Sequence, residues 1–234
     1  MPYRPSKTTL SLLLFASDVA HGTTPTSETD PDFDDYFDYW MRDNNICATT
    51  QDENKMTPLL ACAAEGSLLG IKKLLARGAC INEQDKNGNT LLHYAFSMQG
   101  ATNGQGGDNK EVIDWAQAQG LDIYKTNNKG QTPLFGIWLA LNAEFDLFDE
   151  TDCLYAKDHV EKMIQTYKHI NGSVGQLDDK GNDALSSGET ENPKAYARLH
   201  RVLSPLQSLL LKDKITNSVS AQLATAHQFP RKKL

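Results

Sequence analysis

A 33-residue internal repeat constrains this chain more than any other feature of its 234 residues. The interval from Asp52 to Asp85 is one period, and the second copy opens in the same register as the first. A unit of this length cannot bury its apolar face alone, so units of this kind stack on one another into a solenoid. The first copy is marked by Thr57, Pro58, Leu59, Leu60, Gly66, Leu74, Leu75, Gly78, Ala79 and Asn82.

The opening of each later copy resembles that of a known repeat. Gly88, Thr90, Leu92 and His93 match the G-x-T-x-L-H opening of ankyrin repeats, and 130–134 match it again. The chain therefore resembles the ankyrin-repeat family clearly over about 52–135, and more weakly over 32–52 and 158–185. The resemblance implies an all-α solenoid of helix-turn-helix units with short hairpin loops and helical caps, and it implies binding as the activity. It also assigns His93 a structural hydrogen bond.

Individual residues of the repeat suit particular backbone positions. Thr57, Thr90 and Thr132 are placed to cap the N-terminus of a helix through the hydroxyl. Gly66 and Gly78 fit the left-handed position that ends a helix, and counting back 33 residues places Asn45 there too. Four residues lie three positions before a predicted hairpin tip, a spacing typical of turns: Asp52, Asp85, Asn127 and Asp178, before Lys55, Gly88, Gly130 and Gly181.

The register divides the chain into five parts. We predict a flexible N-terminal arm over 1–31, with a capping helix as the alternative, and an N-terminal capping half-repeat over 32–51. Ankyrin repeats follow over 52–185, about three plus a degenerate fourth. They carry insertions at 100–108 and about 141–157, and the third unit's helices are placed at about 133–148 and 158–167. A C-terminal helical cap (186–218) and a basic tail (219–234) complete the prediction.

Cysteine spacing argues against disulfides, and the chain shows no pattern for a cofactor or metal. Cys47 and Cys80 occupy equivalent sites one period apart, about 8 to 10 Å from each other, the distance between packed helices. A disulfide needs Cα atoms closer than about 7 Å. Cys62 is expected as a small buried filler. No CxxC pair is present, so a reducing compartment is favoured.

The alternative to a binding module is an enzyme or pseudoenzyme with its site after residue 140. Four residues there could assemble a cysteine nucleophile with a base in a cysteine-hydrolase-like site. No nucleophile-flanking motif surrounds the cysteine. The four residues are Asp152, Cys153, His159 and His169.

Charge is distributed unevenly along the chain. Residues 1–53 hold three basic against ten acidic residues, a net −7, whereas 194–234 hold eight basic against one acidic, a net +7. The run 30–40 alternates aspartates with aromatic residues. It predicts either a cap helix with aromatics inward and carboxylates in water, or an acidic, aromatic docking motif.

The family resemblance also places a contact surface on the hairpin tips and the ends of the first helices. Its polar composition suits a protein partner, with a host protein as one candidate, and lacks the basic stripe that duplex DNA requires. Short arrays with insertions resemble ankyrin effectors of intracellular bacterial pathogens, which implies a monomeric cytoplasmic protein or one secreted into a host cytosol. An N-terminal secretory signal is a further alternative, since 10–16 are apolar. The predicted contact residues are Glu53, Asn54, Met56, Glu65, Lys86, Asn87, Asn89, Ser97, Met98, Asn128, Lys129 and Gln131.

Overall fold

The chain folds into stacked helix pairs in a computed structural model that describes most of its residues. The described residues are 7–21, 33–97, 109–139, 161, 164–166, 175–191, 193, 196–197, 203–204, 206–212 and 214–216, and they contain no β-strand. None of their helices has the length and apolar character needed to span a membrane. The helices are α1 (Lys7–His21), α2 (Phe33–Asp43), α3 (Pro58–Ala64), α4 (Leu68–Ala76), α5 (Leu91–Ala95), α6 (Asn109–Ala118), the 3-10 helix η1 (Pro133–Trp138) and α7 (Ala184–Glu191).

These elements form two rows. The inner row consists of α1, α3, α5, η1 and α7 in that order, and each element of the row packs against the next one. The outer helices pack on the inner row, α2 against α1, α4 against α3 and α6 against α5. The all-α solenoid is therefore confirmed. Its core is one continuous cluster of apolar side chains, because every inner helix is covered by the units on either side.

Helix boundaries in the first predicted unit follow the sequence signals. The hydroxyl of Thr57 accepts a hydrogen bond from the Leu60 amide at 3.3 Å. Gly66 and Gly78 have φ of 71° and 96°, the left-handed conformation expected after each helix. Asn45, placed by counting back one period, has a φ of 52° and follows α2 closely. The capping and left-handed positions in this region are confirmed.

The N-terminal region differs from the predicted flexible arm. Residues 7–21 form α1, whose buried face (Leu12, Phe15, Ala16 and Val19) packs on α3 and α4. The Phe15 and Phe37 rings meet edge to face at 5.4 Å, which joins α1 to α2. Helix α1 thus occupies the inner position of a first unit whose outer helix is α2, where a half-repeat was expected. The apolar stripe of α1 has the helical spacing needed to cover the open face of α3.

The third predicted unit also differs from expectation. Its first helix begins at Pro133 but is a 3-10 helix, where an α-helix to about 148 was expected; residues 140–148 lie outside the described part. The Thr132 hydroxyl is buried and has no hydrogen-bond partner, so the predicted cap is wrong at this residue. Gly136 packs directly on the carbonyl of His93, an approach so close that a side chain would not fit. Trp138 is partly buried against the core and donates its indole N–H to the Ala184 carbonyl.

Candidate binding surface

Each hairpin tip is built by one polar side chain at its first position. In the first tip, Asp52 Oδ1 accepts hydrogen bonds from the amides of Asn54 and Met56, both at 2.8 Å. Because both amides donate to the same carboxylate oxygen, the two bonds hold the loop in a single conformation. The same pair recurs at the other three tips, where Asn87 and Asn89 donate to Asp85, Lys129 and Gln131 to Asn127, and Lys180 and Asn182 to Asp178.

A positive φ closes every tip as the spacing predicts. Lys55 has a φ of 58°, and the three glycines that follow it in register have values of 71° to 80°. Glycine adopts this conformation at little cost, whereas a residue with a side chain rarely does. The predicted tip positions are confirmed at Lys55, Gly88, Gly130 and Gly181.

Backbone hydrogen bonds join each tip to the next. The Lys86 amide donates to the Asn54 carbonyl at 2.8 Å, and the Asn128 amide donates to the Asn87 carbonyl at 2.9 Å. A third bond, from the Asp179 amide to the Lys129 carbonyl at 3.0 Å, extends the row to the fourth tip. We call this row the tip ridge, comprising residues 53–55, 86–87, 128–129 and 179–180.

A chain of buried polar side chains lies beneath the tip ridge. Asp85 Oδ2 accepts hydrogen bonds from the Asn89 amide group at 2.8 Å and from the Tyr94 hydroxyl at 2.9 Å. Asn89 Oδ1 in turn accepts from Asn127 Nδ2 at 2.8 Å, which crosses into the next unit. Burial, with the Asp85 carboxylate beside it, raises the pKa of Tyr94 and keeps its hydroxyl protonated.

The polar chain continues across the following unit boundary. Asn127 Nδ2 also donates to Gln131 Oε1 at 3.0 Å, and Gln131 Nε2 donates to the Ser187 hydroxyl at 3.2 Å. These side chains satisfy one another's hydrogen-bonding groups. The network beneath the tip ridge therefore specifies how three units align.

The structure separates the predicted contact residues into two groups. Glu53, Lys86, Asn87, Asn128 and Lys129 are exposed on the tip ridge, and Asn54 is half-buried there. Their role in contact stays a prediction. Met98 lies outside the described residues. Five others are at most 8% exposed and are corrected as contact residues: Met56, Glu65, Asn89, Ser97 and Gln131.

Three of these five residues are buried for two different reasons. Asn89 and Gln131 direct their side chains into the polar chain beneath the ridge. Met56 belongs to the apolar core. Sequence register identified the correct tips but treated every polar position in them as facing solvent, whereas the first and fifth residues of a tip, such as Asp85 and Asn89, are buried.

His93 makes structural hydrogen bonds, as the family resemblance implies, and one of them joins two units. Its Nε2 lies 3.0 Å from the Gln131 carbonyl, which can only accept, so this nitrogen carries the proton. Its Nδ1 accepts from the Thr90 amide at 3.2 Å and lies 2.9 Å from the Thr90 hydroxyl. Burial lowers the pKa of His93 to about 4, so the ring is neutral and structural.

A pH dependence of stability follows from the His93 pKa. In the unfolded chain the pKa is near 6.5, so protonation favours unfolding as the pH falls from 6.5 towards 4. The stabilisation is complete above pH 6.5, and we expect about 2 kcal/mol to be lost between pH 7 and pH 5. The measurement is urea denaturation at each pH for the wild type and for His93→Gln. The variant should show a smaller loss over this interval, and equal losses in both proteins would contradict the assignment.

The cysteines of the described residues carry free thiols. Cys62 is fully buried, as expected for a small filler, and burial raises the pKa of its thiol. Cys47 is exposed, and hydrogen bonds from the Thr50 and Thr49 hydroxyls lower its pKa. The described part of the chain contains no group of three or more His, Cys, Asp or Glu side chains arranged to hold a metal ion. The alternative site at Asp152, Cys153, His159 and His169 lies outside the described residues.

The acidic, aromatic segment forms α2, and its role in docking stays a prediction. Asp34 and Asp38 bind Arg77, which directly follows α4, at 3.0 and 2.9 Å, and Lys73 of α4 also contacts Asp34. Hydrogen bonds from Arg77 and Lys73 lower the pKa of Asp34. Phe37 is buried beneath Arg77, whose guanidinium lies 4.8 Å from the ring centroid. The prediction that all aromatic residues of this helix point inward is wrong, because two tyrosines of α2 are exposed.

Helix pairs stacked in one direction, with hairpin tips on one edge, define the chain as a helical-repeat solenoid, a class that presents extended surfaces to partners. Residues 59–99 match the family model described as ankyrin repeats (many copies). The chain is an ankyrin-repeat protein.

The chain is also similar to parts of three known proteins, one of which is named as an ankyrin repeat protein. The chain is 33% identical over 183 residues, 78% of its length, to a probable palmitoyltransferase AKR2 of Saccharomyces uvarum, and it covers 20% of that protein. It is 31% identical over 102 residues (42% of this chain, 13% of the relative) to a putative ankyrin repeat protein of Acanthamoeba polyphaga mimivirus. It is 34% identical over 76 residues (32% and 11%) to an L-asparaginase of Dirofilaria immitis. The chain spans a fifth or less of the length of each relative.

Proposed function

We propose that this chain is a non-catalytic interaction module that binds another protein through its tip ridge. The observation that carries the proposal is the row of backbone hydrogen bonds joining the four tips. These bonds hold the exposed side chains of successive units in fixed relative positions before a partner arrives. A surface ordered in advance loses little conformational entropy on binding.

The chemistry of the ridge favours a protein partner. Each tip has one exposed lysine, but Lys129 and Lys180 both pair with Glu191, and the exposed Glu53 and Asp179 lie beside them. The amides of Asn87 and Asn128 separate these charges. Three of the four tips also have a buried aspartate at their base. Duplex DNA would require a continuous basic stripe, which this ridge does not form.

The test is a double variant in the second tip, Lys86→Glu with Asn87→Tyr. Both side chains are exposed, and the backbone bonds of the ridge are kept. A partner captured from cell lysate by the wild type is purified, and its Kd is measured by calorimetry. We expect the double variant to bind at least about tenfold more weakly, which corresponds to about 1.4 kcal/mol.

The matched control is Lys110→Glu, which reverses a half-exposed lysine on the outer helix α6. It should bind with unchanged Kd, and the loss of its exposed ion pair with Asp114 should lower the free energy of unfolding by at most about 1 kcal/mol. If the ridge variant binds normally while deletion of 33–43 abolishes binding, helix α2 is the docking element and the ridge proposal is wrong.

We further propose that the module acts as an effector in the cytosol of a host cell, where it binds a host protein. The support is the resemblance of this short array, with its insertions, to ankyrin effectors of intracellular bacterial pathogens. Fusion of the chain to a reporter that is active only in host cytosol tests this role. Signal confined to the producing cell would remove the effector role and leave the binding module intact.

A further inference from the structure

Large apolar side chains are exposed at both ends of the solenoid. Leu14 of α1 is 50% exposed, and Tyr36 and Tyr39 of α2 are 42% and 54% exposed. At the other end, Leu211 and Ile215 are 61% and 55% exposed. Terminal units of a solenoid normally present a polar outer face, which keeps the array from stacking on further copies. These two end faces depart from that rule.

Helix α2 directs part of this apolar surface away from the next unit. Asp34 and Asp38 lie on the edge that faces α4, where they bind Arg77. Tyr36 and Asp43 are seven residues apart and therefore share the opposite edge of the helix. We call the exposed set Leu14, Tyr36, Tyr39, Asp35 and Asp43 the N-terminal face.

The helical residues at 206–212 and 214–216 present the corresponding surface at the other end. Leu206 and Leu210 are buried in the core, so this side of the helix packs inward. Leu211 and Ile215 are four residues apart on the outer side, beside the exposed Lys212. Lys214 binds Asp183 at 3.0 Å and ties this segment to the start of α7. We call Leu211, Lys212 and Ile215 the C-terminal face.

Both faces are apolar at the centre, and their exposed charges are opposite in sign. In the sequence, residues 1–53 carry a net −7 and residues 194–234 a net +7. Within the N-terminal face the exposed carboxylates are Asp35 and Asp43, and the C-terminal face contains Lys212. Opposite charges around an apolar centre both steer association and set its orientation.

We propose that the occupant of each face is a second copy of this chain, and that copies associate head to tail, the N-terminal face of one against the C-terminal face of the next. The two patches are different surfaces on one molecule, so the interface is heterologous and can add further copies. Apolar contacts between tyrosine rings and the leucine and isoleucine side chains form its centre, and the charged residues surround it.

The test measures molar mass by sedimentation velocity over a range of protein and salt concentrations. The wild type should show a mass that rises with protein concentration at low salt and rises less at high salt, since screening weakens attraction between exposed charges. Tyr36→Ser with Tyr39→Ser removes the N-terminal face, and Leu211→Ser with Ile215→Ser removes the C-terminal face. Each double variant alone should weaken association at least about tenfold, equivalent to about 1.4 kcal/mol.

Mixing the two double variants distinguishes the head-to-tail arrangement from other dimers. Each variant keeps the face that the other lacks, so an equimolar mixture should form a one-to-one heterodimer that cannot grow further. Tyr124→Ser alters a tyrosine that is 39% exposed between the two ends, and it should associate like the wild type. Circular dichroism confirms that each variant is folded.

Three results would overturn the proposal. One is a wild-type mass equal to the monomer at every concentration, which is also expected if residues 217–234 occupy the N-terminal face of their own chain. Another is a dimer that the mixed variants do not restore, which indicates a symmetric interface. The third is association that Tyr124→Ser weakens as much as the end-face variants do. None of these results bears on partner capture by the tip ridge.

Discussion

Replacement of Asp85 by alanine is expected to lower the free energy of unfolding by about 4 kcal/mol, because four donors lose their acceptor and each buried donor left unsatisfied costs about 1–3 kcal/mol. Asp85 Oδ1 accepts the amides of Asn87 and Asn89, and Oδ2 accepts Asn89 Nδ2 and the Tyr94 hydroxyl. The measurement is equilibrium denaturation in urea. The expected loss exceeds that of a typical point mutation because the site is 7% exposed and water cannot replace the lost acceptor.

Two controls separate this network from the turn itself. Asp122→Ala removes an aspartate that accepts the Tyr124 amide at 2.8 Å in a similar turn but is exposed, and it should cost at most about 1 kcal/mol. Asp85→Asn retains the oxygen that binds the two backbone amides and should fall between the wild type and alanine. Equal losses for Asp85→Ala and Asp122→Ala would show that the buried network contributes little.

Leu74→Ala is expected to cost about 2–5 kcal/mol, the range for truncating a fully buried leucine. Leu74 is 0% exposed in α4, within the cluster that joins neighbouring units. Stability in a solenoid is shared between adjacent units, so the loss should appear as a lower midpoint of one cooperative transition. Denaturation followed by circular dichroism measures it.

Leu75→Ala is the matched control for this prediction. Leu75 is the adjacent residue of the same helix but is only partly buried, so less apolar surface returns to water on truncation. The sequence treats the two leucines alike, whereas the structure predicts a clear difference in cost. A Leu75→Ala loss equal to or larger than that of Leu74→Ala would show that the helix is rotated relative to this description.

Much of the fold could be predicted from local signals. A left-handed backbone position is a property of a few residues, and the 33-residue count located one at Asn45 where no glycine marks it. The sequence offered a capping helix within 1–31 only as an alternative to a flexible arm, because α1 lacks the residues of the repeat opening and residues 22–32 separate it from α2. Its place depends on the fit of Phe15 and Val19 against α2 and α4, which is a contact between distant parts of the chain.

The candidate site was only partly accessible to such reasoning. Register identified the four tips, since each depends on residues within a five-residue stretch. It could not separate Lys86, which is exposed, from Asn89, which points into the polar chain, because that difference depends on Asn127 of the following unit. The Thr132 hydroxyl shows the same limit, since threonine caps the equivalent helix at Thr57 but not this one.

The sequence by itself determined the repeat, its period, the helix caps of the first predicted unit and the conformation of each tip, because these depend on interactions among residues close along the chain. Only the tertiary structure decided that α1 completes a unit, that η1 is a 3-10 helix and which tip residues face solvent. These features depend on packing between units, where Gly136 meets the His93 carbonyl and Asn127 meets Asn89. Contacts of this kind join residues about 40 positions apart, beyond the reach of local rules for capping and turns.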